Sequence, residues 1–514
     1  MMLMQPLRNN ASRRQTSTVK FVPPPIKGWN ARDDLTDMDE DEATVLDNII
    51  PSDTATFLRN GYTEWVTGLP SAIQALMEYN APSGTPKLFG ATTSAIYDVT
   101  SAGAVGAAVV STLSNGWWQH LMFSTSGGTF LVLTNGADGV RNYNGTTWST
   151  PSITGVTSAN LITVTAHQSR LWFIEENTMK VWYLPALSVA GAATAIDLGG
   201  LSRLGGKLMA MASWTRDSGN GIEDLAAFIT SRGEVHVYSG TDPASADTWQ
   251  RVGTFKIPEP VGRRCLIKVG GDVGILTTQG LVPLSGVLSR AESAQGKIAI
   301  TDRIRNAFTS AYAEAPTANG WQCTEYPVGK LLVLNVPVTE NTESVQFVMN
   351  ANTGAWCRFT GINTNVWSLK GTELFFGGVD GTVYKYGGAA DNDASIDGLS
   401  ISAFNDFGTP MTKNFKRIRP QFFGPSGYRP AIALRLDYSD EYVIYNAASF
   451  VASGTAWDEG TWDEASWASP AQSSALWQGI TGEGFTAGIV VRLSSTEPIT
   501  YNGAKILYET GDQL

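Results

Sequence analysis

The chain has 514 residues, 43% of them hydrophobic and 16% charged, and a formal net charge of −11. It is too long for one ordinary core and too apolar for global disorder, and its acidity argues against a protein that grips phosphate backbones through counterion release. Three cysteines, Cys265, Cys323 and Cys357, are too few for a disulfide framework. No apolar signal segment follows Met1 and no run approaches the ~20 residues of a membrane helix, so a soluble protein made in a reducing cytosol is expected.

Residues 1–27 carry Arg8, Arg13, Arg14, Lys20 and Lys27 and no acid, and Pro23, Pro24 and Pro25 stiffen the exit from this stretch. They read as an extended arm within an N-terminal segment, 1–64. Acids then crowd between Arg32 and Asp47, among them Asp33, Asp34, Asp37, Asp39, Glu40, Asp41 and Glu42. Asp37 or Asp39 is placed to cap a short helix ending near Ile49, with Pro51 blocking continuation.

From residue 65 to 390 a hairpin theme recurs every ~40–60 residues, the repeat length of a propeller blade. It pairs Leu88–Ala91 with Ala95–Tyr97, Phe130–Leu133 with Val140–Tyr143, Leu171–Ile174 with Val181–Tyr183, and Ala227–Thr230 with Val235–Tyr238. It continues with Gly274–Thr277 and Leu281–Leu284, Leu331–Leu334 and Val345–Val348, and Leu374–Phe376 and Val383–Tyr386. One small twisted sheet cannot cover both of its faces, so such units stack around an axis and close into a ring. Trp148, Trp249 and Trp356 follow three of the hairpins, at points suited to packing between blades. The expected fold is all-β: a degenerate six- or seven-bladed β-propeller over 65–390, with Leu131, Leu133, Phe173, Phe228, Ile275, Leu332 and Phe375 buried between blades. After Asp391-Asn392-Asp393, longer alternating strands at 400–404, 432–438, 488–493 and 504–508 indicate a β-sandwich or small barrel over 391–514.

Motifs that carry chemistry are sparse. His120, His167 and His236 are far apart and have no Cys or His neighbour at ligand spacing, so no metal site is expected. No Walker loop, nucleophile elbow or His-Glu-x-x-His helix is present. Propellers often host glycosidases, and sialidase-like ones carry Ser-x-Asp-x-Gly-x-Thr-Trp turns. Here Gly145, Thr147 and Trp148 match only the second half, with Arg141 and Tyr143 in place of the Ser and Asp. The sharpest local pattern is Trp457-Asp458-Glu459, Trp462-Asp463-Glu464 and Trp467, with Trp477 beyond. Those indoles either form a glycan platform or tuck into the sandwich, and the second reading is preferred. No catalytic residue, cofactor site or metal site is assigned.

Three features together resemble the tail nozzle or hub proteins of short-tailed bacteriophages, also called packaged-DNA stabilisation proteins. One is the passage Gly28-Trp29-Asn30-Ala31-Arg32-Asp33-Asp34, then Ala43 to Pro51, then Leu58-Arg59-Asn60-Gly61-Tyr62. The others are the degenerate propeller and the C-terminal β-domain with its Trp-Asp pattern. The resemblance implies a non-enzymatic virion protein, assembled in the host cytoplasm as a hexameric ring below the portal and adaptor. It also implies contacts to tail fibres or spikes and to a plug or needle, and a central channel through which DNA passes without specific binding. The basic stretch itself, with Arg8, Arg13 and Arg14, either touches DNA in the channel or laces onto the acidic surface of a neighbour, at Asp39, Glu40 and Asp41, and the second reading is preferred. The alternatives are a host-surface glycan-binding propeller module and a glycoside-active enzyme.

Overall fold

A computed structural model describes residues 17–82, 84–217, 222–287, 298–425, 428–442, 472–474 and 476–511. Seven small antiparallel sheets surround one axis. Their innermost strands are Ala75–Tyr79, Gln119–Thr125, Leu161–His167, Leu208–Asp217, Leu266–Val269, Gln322–Tyr326 and Thr364–Lys370, and these define blades I to VII. Each innermost strand touches the next blade, and blade VII returns to blade I. The ring is closed by strand exchange: Tyr62–Thr67, from before blade I, supplies the outer strand of blade VII by pairing with Val383–Tyr386. Closure of this kind ties Tyr62 to Tyr386 and pairs the outer edge of blade VII.

In three-stranded blade V the expected hairpin is the outer pair; in the other six blades it is the middle pair. These strands are hydrogen-bonded on both sides and covered on both faces, which is why they are the most continuously apolar. Leu131, Leu133, Phe173, Phe228, Ile275, Leu332 and Phe375 are all buried, each at 2% exposure or less. Phe228 packs with Trp172 of the preceding blade, and Phe375 packs with Leu76 and Leu88 of blade I. Trp249 stacks on Trp172 across a blade boundary at 5.4 Å, and Trp148 meets Phe89 of blade I edge-on at 4.9 Å. Blade V has three strands. A three-turn helix, Arg305–Glu314, packs between its strand Gly280–Pro283 and the strand Leu331–Thr339 of blade VI, anchored by Phe308 against Trp321 at 5.6 Å.

Two corrections concern the N-terminal segment. Of the stretch 1–27 read as an arm, residues 1–16 lie outside the described ones and Ser17–Val22 is a strand of the second β-domain, paired with Thr500–Thr510; further on, Glu42–Asp47 pairs with Ile396–Ser402 of the same domain. No helix ends near Ile49 either. The acidic residues form tight turns and then the strand Glu42–Asp47, because the buried positions Ala43 and Leu46 are needed on the sheet. The second domain is a sandwich. One layer holds Ser17–Val22, Thr500–Thr510 and Lys413–Gly424, with Gln478–Gly484 at its edge. The other runs Glu42–Asp47, Ile396–Ser402, Ala487–Ser495 and Ala431–Leu436. Phe415, Ile418, Phe422, Ile432, Val491 and Ile506 share its buried core. The second layer continues through Gly28–Trp29 into Trp356–Phe359, the outer strand of blade VI, so one nine-stranded sheet spans sandwich and propeller.

Candidate functional site

Two places concentrate polar chemistry: the seam between the sandwich and the propeller, and the cavity on the propeller axis.

The seam is built from the passage that carries the sequence resemblance. Gly28 adopts φ +81°, and its Cα lies so near the outer strand of blade VI that a Cβ would stand 2.5 Å from the Trp356 carbonyl oxygen. Trp29 is buried edge-on against Phe347 at 5.2 Å. Asn30 donates to both Asp33 and Glu42 at 2.9 Å, and buried Glu42 also accepts from Arg303 at 2.6 Å. Arg32 bridges Asp33 and Asp302, and its hydrogen bonds, followed by that of Asn30, hold the Asp33 carboxyl well below the usual carboxylate range. Asp47 receives Arg358 in a two-pronged pair of 2.8 and 2.7 Å. Asn48, in the left-handed region at φ +56°, donates to Thr360 and the Asp397 carbonyl and accepts from Arg59 at 2.9 Å. These side chains join the two domains.

The axial cavity measures about 430 Å³. It is ringed by the innermost strands of all seven blades, and its end where those strands begin is bridged by the loop before blade V. Arg264 reaches across the axis to donate through Nη2 to the carbonyls of Gln74 in blade I, at 2.9 Å, and Trp118 in blade II, at 3.0 Å. Its guanidinium lies over the Trp117 ring, 5.4 Å from the centroid. Desolvation alone pulls this guanidinium down to about 10, still protonated at neutral pH. Arg263 turns the other way and bonds Glu176 of blade III at 2.5 Å and the Asn135 carbonyl at 3.1 Å. Gly136, at φ +74°, leaves room for it, since a Cβ there would stand 2.9 Å from Arg263 Nη1. His120 borders the cavity and keeps contact with its solvent; enclosure by the blades first, and then the Arg264 charge, push its pKa down.

His167 is bonded to a serine, with Nδ1 2.9 Å from Ser213 Oγ. Burial pushes it down to about 4, and its Nε2 has no protein partner. A base of that strength takes up a proton poorly at neutral pH, and no acid orients it, so the pair does not make an activated nucleophile. His236 is fully buried on blade IV, with Nδ1 3.0 Å from Thr254 Oγ1. All three thiols are buried, and desolvation raises each of them, Cys265 to about 12. Among the described residues no group of three or more His, Cys, Asp and Glu is placed to hold a metal ion, and no helix is long and apolar enough to cross a membrane.

Of the expected interface residues, Arg8, Arg13 and Arg14 lie outside the described residues, as do Trp457, Trp462, Trp467 and their acids. Asp39 and Asp41 both hold Lys27 at 2.9 Å within the same chain, and Glu40 accepts from Asn405 at 2.6 Å. The axial cavity was missed at the sequence level. The adjacent pair Arg263-Arg264 before an apolar strand is its one linear trace, and nothing in that dipeptide announces a reach across the axis.

No family model matches the chain, and no curated protein matches it significantly. Solved structures that resemble it are propellers. YCF48 from Cyanidioschyzon merolae is 11% identical, covering 64% of this chain and 98% of its own, with a TM-score of 0.37. The WD40 β-propeller domain of Doa1 is 8% identical, covering 63% and 97%, at 0.38. Sqt1 of Saccharomyces cerevisiae is 10% identical, covering 64% and 98%, at 0.37. The chain is an all-β, propeller-bearing protein, and these distant likenesses carry no function with them.

Proposed function

We propose that the chain is a structural subunit of the tail nozzle of a short-tailed bacteriophage. In this reading it forms a ring, a hexamer, below the portal and adaptor, guides the genome outward, and carries fibres or spikes and a plug or needle. The observation that carries the reading is the use made of Gly28–Tyr62. The passage on which the resemblance rests is spent on welding sandwich to propeller through one continuous sheet and the Asp47–Arg358 and Arg59–Asp391 pairs. A stiff two-body wedge of this kind suits a ring under load. The propeller axis is bridged by Arg264 and its cavity is far too small for a nucleic-acid strand, so the DNA path in this proposal is the lumen between subunits. A net charge of −11 fits a lumen that does not retain phosphate. Arg8, Arg13 and Arg14 are assigned to a neighbouring subunit, where Asp39, 60% exposed despite its bond to Lys27, remains within reach.

Electron cryomicroscopy of the chain assembled on a portal–adaptor complex tests this. The expected result is a closed ring whose lumen is lined by neutral and acidic residues. A lone copy in the assembled tail, a continuous Lys/Arg stripe along the lumen, or tight duplex-DNA binding at physiological salt overturns it. A second reading, recognition of host-surface glycans, is favoured by one observation: Trp477 and Leu476 are exposed just ahead of the sandwich strand Gln478–Gly484. Binding of the full chain to a glycan array, lost on Trp477→Ala, supports that reading instead.

A further inference from the structure

We propose that the axial cavity of the propeller is a binding site for a small oxyanion, a phosphate or a carboxylate, held by Arg264 and Gln119.

The charge balance of the cavity points there. Arg263, Arg264 and Lys268 line it and no Asp or Glu does, in a protein that is otherwise strongly acidic. Arg263 is offset by Glu176 just outside, at 2.5 Å. Arg264 is not offset: its Nη2 is spent on two backbone carbonyls, and its Nη1 is buried without a protein partner. The Nε2 of Gln119, on the innermost strand of blade II, is a second buried donor lining the cavity without a protein partner. A buried cation is costly unless paired, and buried donors are nearly always satisfied. Three unsatisfied donors on residues bordering one cavity, with Trp118 Nε1 as the third and Arg264 the charged one, suit an oxyanion.

The remaining wall fits a small solute. Thr163, Thr165 and Ser213 stand among Leu121, Met211 and Leu266, the two threonine hydroxyls donating to the Met209 and Met211 carbonyls and Ser213 bonded to His167. That mixture, an apolar wall with a few placed polar groups, is typical of small-molecule sites, and about 430 Å³ lies in their usual size range. At ~3.3 Å per residue of strand, Lys268 stands roughly 13 Å along the axis from Arg264. It is exposed and, among the described residues, makes no ion pair, so it places a second positive charge nearer the open end. Arg264 is fixed in advance by its two carbonyls and the Trp117 ring, so little side-chain freedom is lost on binding. The site is independent of any role in a phage tail.

Calorimetric titration of the purified full chain with inorganic phosphate, and separately with citrate, tests the proposal at constant ionic strength set with chloride. The two arms distinguish a phosphate from a carboxylate ligand. Saturable binding of at least one is expected, weakened roughly tenfold or more by Gln119→Leu and abolished by Arg264→Met. Arg232→Gln, which removes an exposed cation bonded to Glu259 away from the axis, should leave the binding unchanged. No saturable binding of either anion, or binding indifferent to Gln119→Leu and Arg264→Met, overturns the proposal and leaves a cavity that holds water alone. If Arg264→Met does not fold, Gln119→Leu decides, because it leaves the bonds of Arg264 intact.

Discussion

Arg59 and Asp391 are joined by two parallel hydrogen bonds of 2.7 Å each, Nη1 to Oδ1 and Nη2 to Oδ2, at the point where the chain leaves the sandwich for the propeller and where it later returns. Arg59 is 2% exposed, and its Nε is taken up by Asn48 Oδ1 at 2.9 Å. Its guanidinium lies 5.6 Å from the centroid of the Phe359 ring. Removing one member of such a pair strands the other charge in a poorly solvated place, which costs about 3–5 kcal/mol. Asp391→Ala and Arg59→Leu should each lower the unfolding free energy by that amount, read from the fall in the urea midpoint multiplied by the slope of the transition. The double variant should lose much less than the sum, because it leaves no orphan charge. Strict additivity in the cycle would mean that the pair is not coupled.

Gly61 lies two residues further on and faces Ala390. Its N–H bonds the Gly388 carbonyl at 3.0 Å, and its own carbonyl accepts from Gly387 at 2.8 Å. A Cβ there would fall 1.8 Å from the Ala390 carbonyl oxygen, so Gly61→Ala must break this backbone pairing. The expected loss is at least ~2 kcal/mol. Gly354→Ala is the informative comparison: its Cβ would meet nothing within 4 Å, and only its φ of +72° is strained, so its cost should stay near ~1 kcal/mol. Equal losses in the two variants, measured by thermal unfolding, would contradict the close-approach argument.

The middle hairpins were legible because burial on both faces forces apolar runs, as in Leu331–Leu334 and Leu171–Ile174. The innermost strands were not. Bordering the cavity lets them carry Gln119, His120, Thr163, Thr165, Ser213 and Gln322, which blurs the alternation that identifies a strand. The strand Lys413–Gly424 was missed for a related reason: its charged face reads as a loop, and Pro420 sits at an irregularity of its pairing with Thr500–Thr510. The N-terminal strands were misread because their partners are almost the length of the chain away, Ser17 opposite Glu509. A run of acids with a capping residue looks like a helix start when that pairing is invisible. The seam residues were quoted in the sequence for the family they resemble, but their physical task appears only when Asp47 meets Arg358 and Arg59 meets Asp391.

Phe228 is the natural probe of blade-to-blade packing. It is 1% exposed, with Trp172 of the neighbouring blade at 6.0 Å and Tyr238 at 5.8 Å. Phe228→Ala leaves a void that this aromatic cluster cannot fill, at a cost of about 3–5 kcal/mol. The urea midpoint should fall while the slope of the transition stays unchanged, as expected if the surface exposed on unfolding is the same. Val19→Ala, at a side chain 52% exposed on the outer strand of the sandwich, should shift it by less than ~0.5 kcal/mol. A Phe228→Ala loss no larger than that of Val19→Ala would refute interlocked blades.

His167 sets a pH dependence whose sign follows from burial. The ring is 2% exposed, flanked by Trp172 and Trp249, and bonded at Nδ1 to Ser213. Desolvation pushes its folded pKa down to about 4, opposed only weakly by Asp224, against 6.5 for the free side chain. The folded protein therefore keeps this group neutral in a range where the unfolded chain binds a proton. Protonation of the unfolded state favours unfolding, so the contribution is fully present above pH 6.5 and is lost as the pH falls toward 4, below which this group adds no further slope. Between pH 7.5 and 5.0 the loss comes to about 2 kcal/mol, at 1.36 kcal/mol per pH unit below 6.5. His236, whose pKa burial also lowers, acts in the same direction. The expected result is a urea midpoint that falls from pH 7.5 to 5.0 in the native chain and falls distinctly less in His167→Asn, whatever stability that variant loses overall. Measuring the interval above pH 5 keeps most of the titration of ordinary carboxylates out of the comparison. A His167→Asn slope as steep as the native one would show that this imidazole titrates normally and that burial does not hold it neutral.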